Sequence, residues 1–321
     1  PAVQNALEAA TRNQVMGANV SVTPEDVTFP LGPTGADNRV NVRVFRTGAR
    51  GNPLATIVGG FFGVDTANME ATATAEASPA NAMTCVKPFI IPDKWREMTD
   101  PPFDALSSTF EMYDNKENPL PNPDVYIGAH DKANYTGYNQ EADRGRQMII
   151  RAGSGNNINP TFYFSLAIGV SGEDSPGGLT GGAAYEWNIA NCNTTIITIG
   201  QIVIQEPGNM VGPTIAGAEE LIALDPGARW DGGENKVVGS AFPAGKSPRT
   251  FPIPLYDPIF YAEGKHNGRY ADFKVANYIG YFLEQAGGNQ LLGRIFPIAG
   301  IMKSGVPVPA AAFPVVIRLV E

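Results

Sequence analysis

Asn68-Met-Glu-Ala-Thr-Ala-Thr-Ala-Glu-Ala77 decides how this chain is read. Met69, Ala71, Ala73 and Ala75 alternate with Glu70, Thr72, Thr74 and Glu76. That period of two predicts a strand whose side chains point to opposite faces. One face is built mainly of small residues, which let a helix approach closely. Working outward, Val40, Val42 and Val44 alternate with Asn41 and Arg43, and Val27, Phe29 and Leu31 alternate in turn. Both stretches predict half-buried strands, joined by the turn-rich Gly-Pro-Thr-Gly-Ala-Asp-Asn (32–38). Upstream, Ala2 to Met16 predicts a helix. Val3, Leu7, Ala10 and Gln14 share a face, Ala6, Ala9 and Val15 widen it, and Gly17 stops it. Pro53 opens a second predicted helix, Leu54-Ala-Thr-Ile-Val-Gly-Gly-Phe-Phe62, with proline where its missing N–H costs least. Residues 1–82 thus predict a helix-plus-sheet module, with the 54–62 helix docking on the sheet.

From residue 83 to 321 the pattern changes to a larger β-rich, loop-rich domain, giving an α+β fold class overall. Asp93 to Tyr126 is rich in Pro, Asp and Asn and predicts a long irregular segment. Strands are predicted at 146–151, 161–170, 194–205, 274–284, 291–301 and 314–320. A Gly-rich loop occupies 171–182. The clearest helix runs from Pro213 to Leu224, with Ala218, Leu221, Ile222 and Leu224 as its apolar face and Pro226 beyond its end.

Hydrophobic residues make up 43% of the 321 positions, enough to build a core. Gly (36) and Pro (27) are both high, which points to many turns and ordered loops. The net charge of −9 and the absence of a Lys/Arg run argue against a nucleic-acid partner. Apolar runs fall short of a bilayer span, and no secretory leader is legible. Export would rely on a signal or anchor outside this chain.

The candidate chemistry is sparse. His130 and His266 lie in neither a zinc-protease pattern nor a nucleophile elbow, so both read as loop residues. Acidic residues are frequent enough for paired-carboxylate hydrolysis, but separation is not legible in sequence. Asp114, Asn115 and Glu117, with Asp124 and Asp131, supply oxygen ligands suited to calcium, although the EF-hand spacing is missing and Asp/Asn turns are the simpler reading. The glycine-rich runs 177–182 and 151–157 lack the residues of a phosphate or dinucleotide loop and read as turns. Asn19, Asn134 and Asn193 head glycosylation triplets. Aromatic clusters at 161–165 and 256–261 suit core packing, with a carbohydrate or partner surface as the alternative. Cys85 and Cys192 have no metal-ligand spacing. A disulfide between them fits export and closes a loop worth about 4–5 kcal/mol; two buried thiols are the alternative.

Several strings resemble bacterial proteins of the TadE/TadG-like group, related to Tad (Flp) pilus assembly. In the first part these are Gln4 to Met16, Val40 to Phe45 and Met69 to Ala77. Later they are Cys85-Val-Lys-Pro-Phe-Ile-Ile-Pro-Asp-Lys-Trp95, Pro123-Asp-Val-Tyr126 and Tyr185-Glu-Trp-Asn-Ile-Ala-Asn-Cys192. Gln205-Glu-Pro-Gly-Asn-Met-Val-Gly-Pro-Thr214, Ser247-Pro-Arg249 and Lys274-Val-Ala-Asn-Tyr278 complete the set. The resemblance implies a pilin-like N-terminal module and a non-enzymatic exported protein of the bacterial cell surface. It implies a subunit or assembly component of a Tad/Flp-like pilus or filament, partnered by itself or by other pilus components. Membrane attachment would come only through an N-terminal anchor that this chain does not contain. The alternative is a surface adhesin that binds carbohydrate or a partner. No cofactor is expected apart from the calcium considered above. Filament assembly needs an open strand edge or a swapped segment. The β-rich terminal run Pro314, Val315, Val316, Ile317, Leu319 and Val320 is the candidate, and the N-terminal helix is the second.

Overall fold

The computed structural model describes residues 2–32, 35–153, 157–172, 175–268 and 272–320. Pro1, Pro33 and Thr34 of the 32–38 link, and parts of the 151–157 and 171–182 glycine-rich runs, lie outside the described residues. Two compact units are present: unit 1 is Pro1–Ser78 with Ile317–Glu321, and unit 2 is Pro79–Val316. Sequence placed the division near residue 82; the terminal residues return to unit 1 because the last strand pairs with the Ala/Thr strand.

Unit 1 holds helix α1 (Ala2–Thr11) and strands β1 (Val27–Thr28), β2 (Arg39–Arg46), β3 (Leu54–Ala55), β4 (Thr66–Ala67) and β5 (Met69–Pro79). Unit 2 contains β6 (Phe89–Pro92), β7 (Gln147–Ala152), β8 (Phe162–Ser165), α2 (Gly181–Ala190), β9 (Ile202–Ile204) and α3 (Val211–Leu224). It continues with β10 (Thr250–Tyr256), α4 (Pro258–His266), β11 (Asp272–Gly287) and β12 (Gln290–Phe296), and the chain ends in β13 (Val315–Val320). Helices and strands are both present, so the fold is α+β.

The unit 1 sheet has the order β13-β5-β2-β1. Its register opposes Val40 to Ala75, Val42 to Ala73 and Val44 to Ala71 on one face, and Arg39 to Glu76 and Asn41 to Thr74 on the other. The alternation quoted at the outset is therefore realised. Two other expectations are corrected. Helix α1 stops at Thr11, where the Asn13 side chain donates to the Ala9 carbonyl (2.7 Å). Gln14–Val15 then folds back on Ala18–Asn19 through Met16 and Gly17, both at positive φ. The predicted 54–62 helix is instead a narrow hairpin: β3 pairs with β4, and only Gly59–Phe62 coils, as a 3-10 turn. The β-branched Thr56-Ile57-Val58 and the Gly59-Gly60 pair are poor helix formers. Nor does this segment dock on the sheet, since Ile57, Phe61 and Phe62 are exposed.

In unit 2, β10, β6, β8, β7, β12 and β11 close a six-stranded barrel, with β9 added outside on β11. The β6–β10 and β7–β8 pairs are parallel and the rest antiparallel. One buried cluster takes alternate residues from all six strands, including Phe89, Ile150, Tyr163, Ile253, Tyr281 and Leu291, and so fills the interior. Tyr185, Ile189, Ala218 and Leu221 of α2 and α3 join it. A Cβ at Gly293 would collide with the Phe282 carbonyl and the Tyr281 ring, so glycine is needed where β11 and β12 close the barrel. A second cluster, with Trp95, Phe110, Tyr256, Tyr261 and Phe273, lies on the other side of the sheet. Both aromatic strings singled out in the sequence are thus core. No helix among the described residues is long and apolar enough to cross a membrane.

Candidate functional site

The residues singled out by sequence fall in several places. Cys85 and Cys192 are joined as a disulfide. It ties the approach to β6 to the end of α2, where the Cys85 N–H also donates to the Asn193 carbonyl (2.8 Å). Asp114, Asn115 and Glu117 line one cavity of about 350 Å³ with Lys265 and His266. Asp114 accepts from the N–H groups of Lys116 (2.8 Å) and Asn118 (2.9 Å), closing a turn. Asp131 accepts from Asn134 in a separate turn. Asp124 is buried elsewhere, accepting from the N–H groups of Met98 (2.7 Å) and Glu111 (2.9 Å). The structure therefore brings the first three together and not the other two. Among the described residues no group of three His, Cys, Asp or Glu side chains is arranged to hold a metal. His130 is exposed. His266 ends α4 rather than a loop and stacks on Tyr113 with ring centroids 4.4 Å apart. Asn193 of the third glycosylation triplet is buried and donates to Asn188 Oδ1 (2.7 Å), which removes it as a glycan acceptor.

Unit 2 also contains buried ionisable groups that the sequence reading did not single out. Asp93 accepts from the Tyr126 and Tyr135 hydroxyls (3.0 and 2.8 Å) and the N–H groups of Lys94 and Tyr138 (2.9 and 3.1 Å). Burial raises it to about 6 against these four donors. With both oxygens doubly occupied it is an anchor rather than a reagent. Glu97 and Asp124 share a hydrogen bond, and burial foremost raises Asp124 to about 6. Glu97 borders a cavity of about 820 Å³. Lys87 donates to the terminal carbonyls of α2, Ile189 and Asn191, and burial pushes it down to about 7. It satisfies acceptors that a helix end leaves orphaned. The legible signal was a charge at each end of the apolar run Lys87-Pro-Phe-Ile-Ile-Pro-Asp93.

Unit 1 contrasts with this dense packing. Among its described residues, Ala10, Val27 and Leu54 are the only buried apolar side chains. Glu76 is nearly covered and accepts from Ser78 Oγ (2.7 Å), Arg318 (2.9 Å) and Arg39 Nε (2.7 Å). These three bonds, that from Ser78 foremost, hold its carboxyl at about 2. Because Arg318 reaches Glu76 on the polar face, its neighbours Ile317 and Leu319 point to the Ala/Val face. They are 67% and 78% exposed. Ala77, Ala73 and Ala71 on the same face of β5 are exposed too. Within the described residues β13 is also the outermost strand of its sheet. An apolar sheet face thus meets an open hydrogen-bonding edge along Ile317–Val320.

No protein-family model, curated protein or solved structure matches the chain.

Proposed function

We propose that this chain is a non-enzymatic, exported structural protein of the bacterial cell surface, a subunit or assembly component of a Tad/Flp-like pilus or filament. Unit 1 is its pilin-like part and the place where neighbouring copies join. The observation that supports this most is the unfinished state of unit 1. A sheet buries one face against another layer, yet Ile317 and Leu319 are left open on an unpaired edge strand, and Ala71 and Ala73 are open further along the same face. An open edge is a template for pairing with another chain. The disulfide accords with an oxidising compartment.

Within the terminal run, Pro314 and Val315 serve unit 2 itself: their carbonyls accept from Ala80 and Gly300 (2.9 and 2.8 Å). Ile317, Leu319 and Val320 are the residues left for a neighbour. Electron microscopy of sheared surface material, labelled with an antibody to this chain, tests the role. Label running continuously along filaments is the expected result. Label confined to the cell body, with none on any filament, would remove the structural role.

A further inference from the structure

We infer that the hairpin tip Ile57–Val64 is a bilayer-inserting wedge that seats unit 1 on an uncharged lipid surface. The tip is anchored only at its root, where Leu54 is buried and β3 pairs with β4. Beyond it Ile57, Phe61 and Phe62 are 83%, 87% and 84% exposed, and Val58 and Val64 are open as well. Scattered exposed apolar residues are ordinary, but five on one tip mark a contact surface.

Three observations choose lipid over another protein. First, several backbone groups at and beside the tip are bonded within it. Thr56 N–H donates to the Asp65 carbonyl (3.0 Å), Phe61 N–H to Val58 (3.2 Å), Gly63 N–H to Gly60 (3.2 Å) and Val64 N–H to Gly59 (2.9 Å). The Thr56 hydroxyl closes the turn on the Val64 carbonyl (2.5 Å). Hydrocarbon favours such internal bonding, because it offers no partners of its own. A Cβ at Gly59 would collide with Val64 and Thr56, so the closure depends on glycine there. Second, no ionisable side chain lies between Arg50 and Asp65, and the chain carries −9 overall. The matching surface is therefore neutral, and anionic headgroups are not favoured. Third, aromatic side chains bury roughly 150–250 Å² each, so this tip offers on the order of 500 Å². A stable protein interface needs roughly 800 Å² per partner, whereas a small apolar wedge entering the headgroup boundary is held in proportion to its apolar area.

Flotation of the full chain with phosphatidylcholine vesicles tests this. The expected result is that the protein rises with the vesicles, that F61S/F62S lowers the bound fraction at least tenfold, and that F61L/F62L restores it. Adding anionic lipid should not strengthen binding. Both pairs change only exposed side chains, and an intact Cys85–Cys192 bond with unchanged circular dichroism shows that each variant has folded. Wild-type protein that stays with the lipid-free fraction overturns the inference, as does equal flotation of F61S/F62S. If the wild type stays lipid-free yet forms a dimer that F61S/F62S abolishes, the tip is a protein contact and the lipid assignment is wrong.

Discussion

Replacing Ile317 and Leu319 together by lysine should abolish self-association while leaving unit 2 folded. Fully burying an Ile or Leu side chain is worth about 1.5–3 kcal/mol. At exposures of 67% and 78%, most of that gain is still available to a partner. Each residue then contributes about 1–2 kcal/mol, and the pair about 2–4 kcal/mol on one side of the contact. That is roughly a 30- to 1000-fold change in dissociation constant. The lysines add a further penalty wherever the contact sets the same strand against itself, because like charges then face each other. Sedimentation velocity over a concentration series reads the change directly. T72K is the control. Thr72 lies on the opposite face of β5, opposite Arg43, so its association should match the wild type. The reasoning is wrong if the wild type assembles and I317K/L319K assembles equally well, or if T72K is as damaging as the double variant.

Other outcomes follow from unit 2. Removing the disulfide as C85S/C192S should lower its stability by about 4–5 kcal/mol in denaturant, since the bridge spans 107 residues; a loss below about 1 kcal/mol would show that the unfolded chain gains little freedom. Arg249 is buried and donates to the carbonyls of Asp225 (3.1 Å), Ala228 (2.8 Å), Leu283 (2.9 Å) and Glu284 (2.9 Å). R249K cannot reach all four, and the orphaned carbonyls should cost about 3 kcal/mol or more by equilibrium unfolding. The units should also respond to acid in opposite senses. Asp93, raised to about 6, contributes stability that is complete below its unfolded value near 4 and lost as pH rises through 6, about 3 kcal/mol in all. Glu76, held at about 2, contributes stability present above its unfolded value and lost as pH falls through 2. Tryptophan emission follows unit 2 alone, because Trp95, Trp187 and Trp230 all lie there. Its melting temperature should rise from pH 7 to 5 and lose that slope in D93N, while proteolysis of unit 1 should begin first on further acidification.

Strands whose two faces differ were legible. Met69–Pro79 and Arg39–Arg46 alternate cleanly, and the register pairs valine with alanine as the pattern demands. Four of the six barrel strands were located approximately, but β6 and β10 were missed because proline in Phe89-Ile-Ile-Pro92 and Thr250-Phe-Pro-Ile-Pro-Leu-Tyr256 argues against a strand, and turns inside the predicted strands were missed too. The stretch 194–205 breaks at Gly200, which sits at φ 90°, into Ile197–Thr198 and β9. Helix α2 was missed because it starts with Gly181-Gly182, and glycine argues against a helix. Packing overrides that preference: α3 lies so close that a Cβ at Gly217 would meet Ile189 (2.8 Å) and the Glu186 carbonyl (2.9 Å). Helix α4 had a readable start, with the Asp257 side chain accepting from the Phe260 N–H (3.0 Å) and Pro258 following it. The aromatic run drew attention from that cap. Of the candidate surface, the β-branched terminal strand was visible in sequence. The openness of the face beside it was not, because exposure depends on what the rest of the chain fails to cover.

The contrast between the units gives assembly a thermodynamic consequence. Unit 2 has two large buried clusters, a closed barrel and a disulfide. Unit 1 relies on a four-stranded sheet, the Glu76–Arg39–Arg318 ion pairs and three buried apolar side chains among its described residues. Ion pairs gain little once the desolvation of the charges is counted, and a small unit without a core is marginal. A partner that binds the folded form and not the unfolded one stabilises it by mass action. A partner that covered Ile317 and Leu319 would therefore also complete the folding of unit 1. In dilute protein, amide exchange should be fast throughout β2 and β5 and slow in the barrel. In the assembled state, protection of β2 and β5 should rise together with association, and it should fail to rise in I317K/L319K at the same concentration. Equal protection of β2 and β5 in the isolated and assembled forms would mean that unit 1 is stable alone and that its open face is not where assembly draws its free energy.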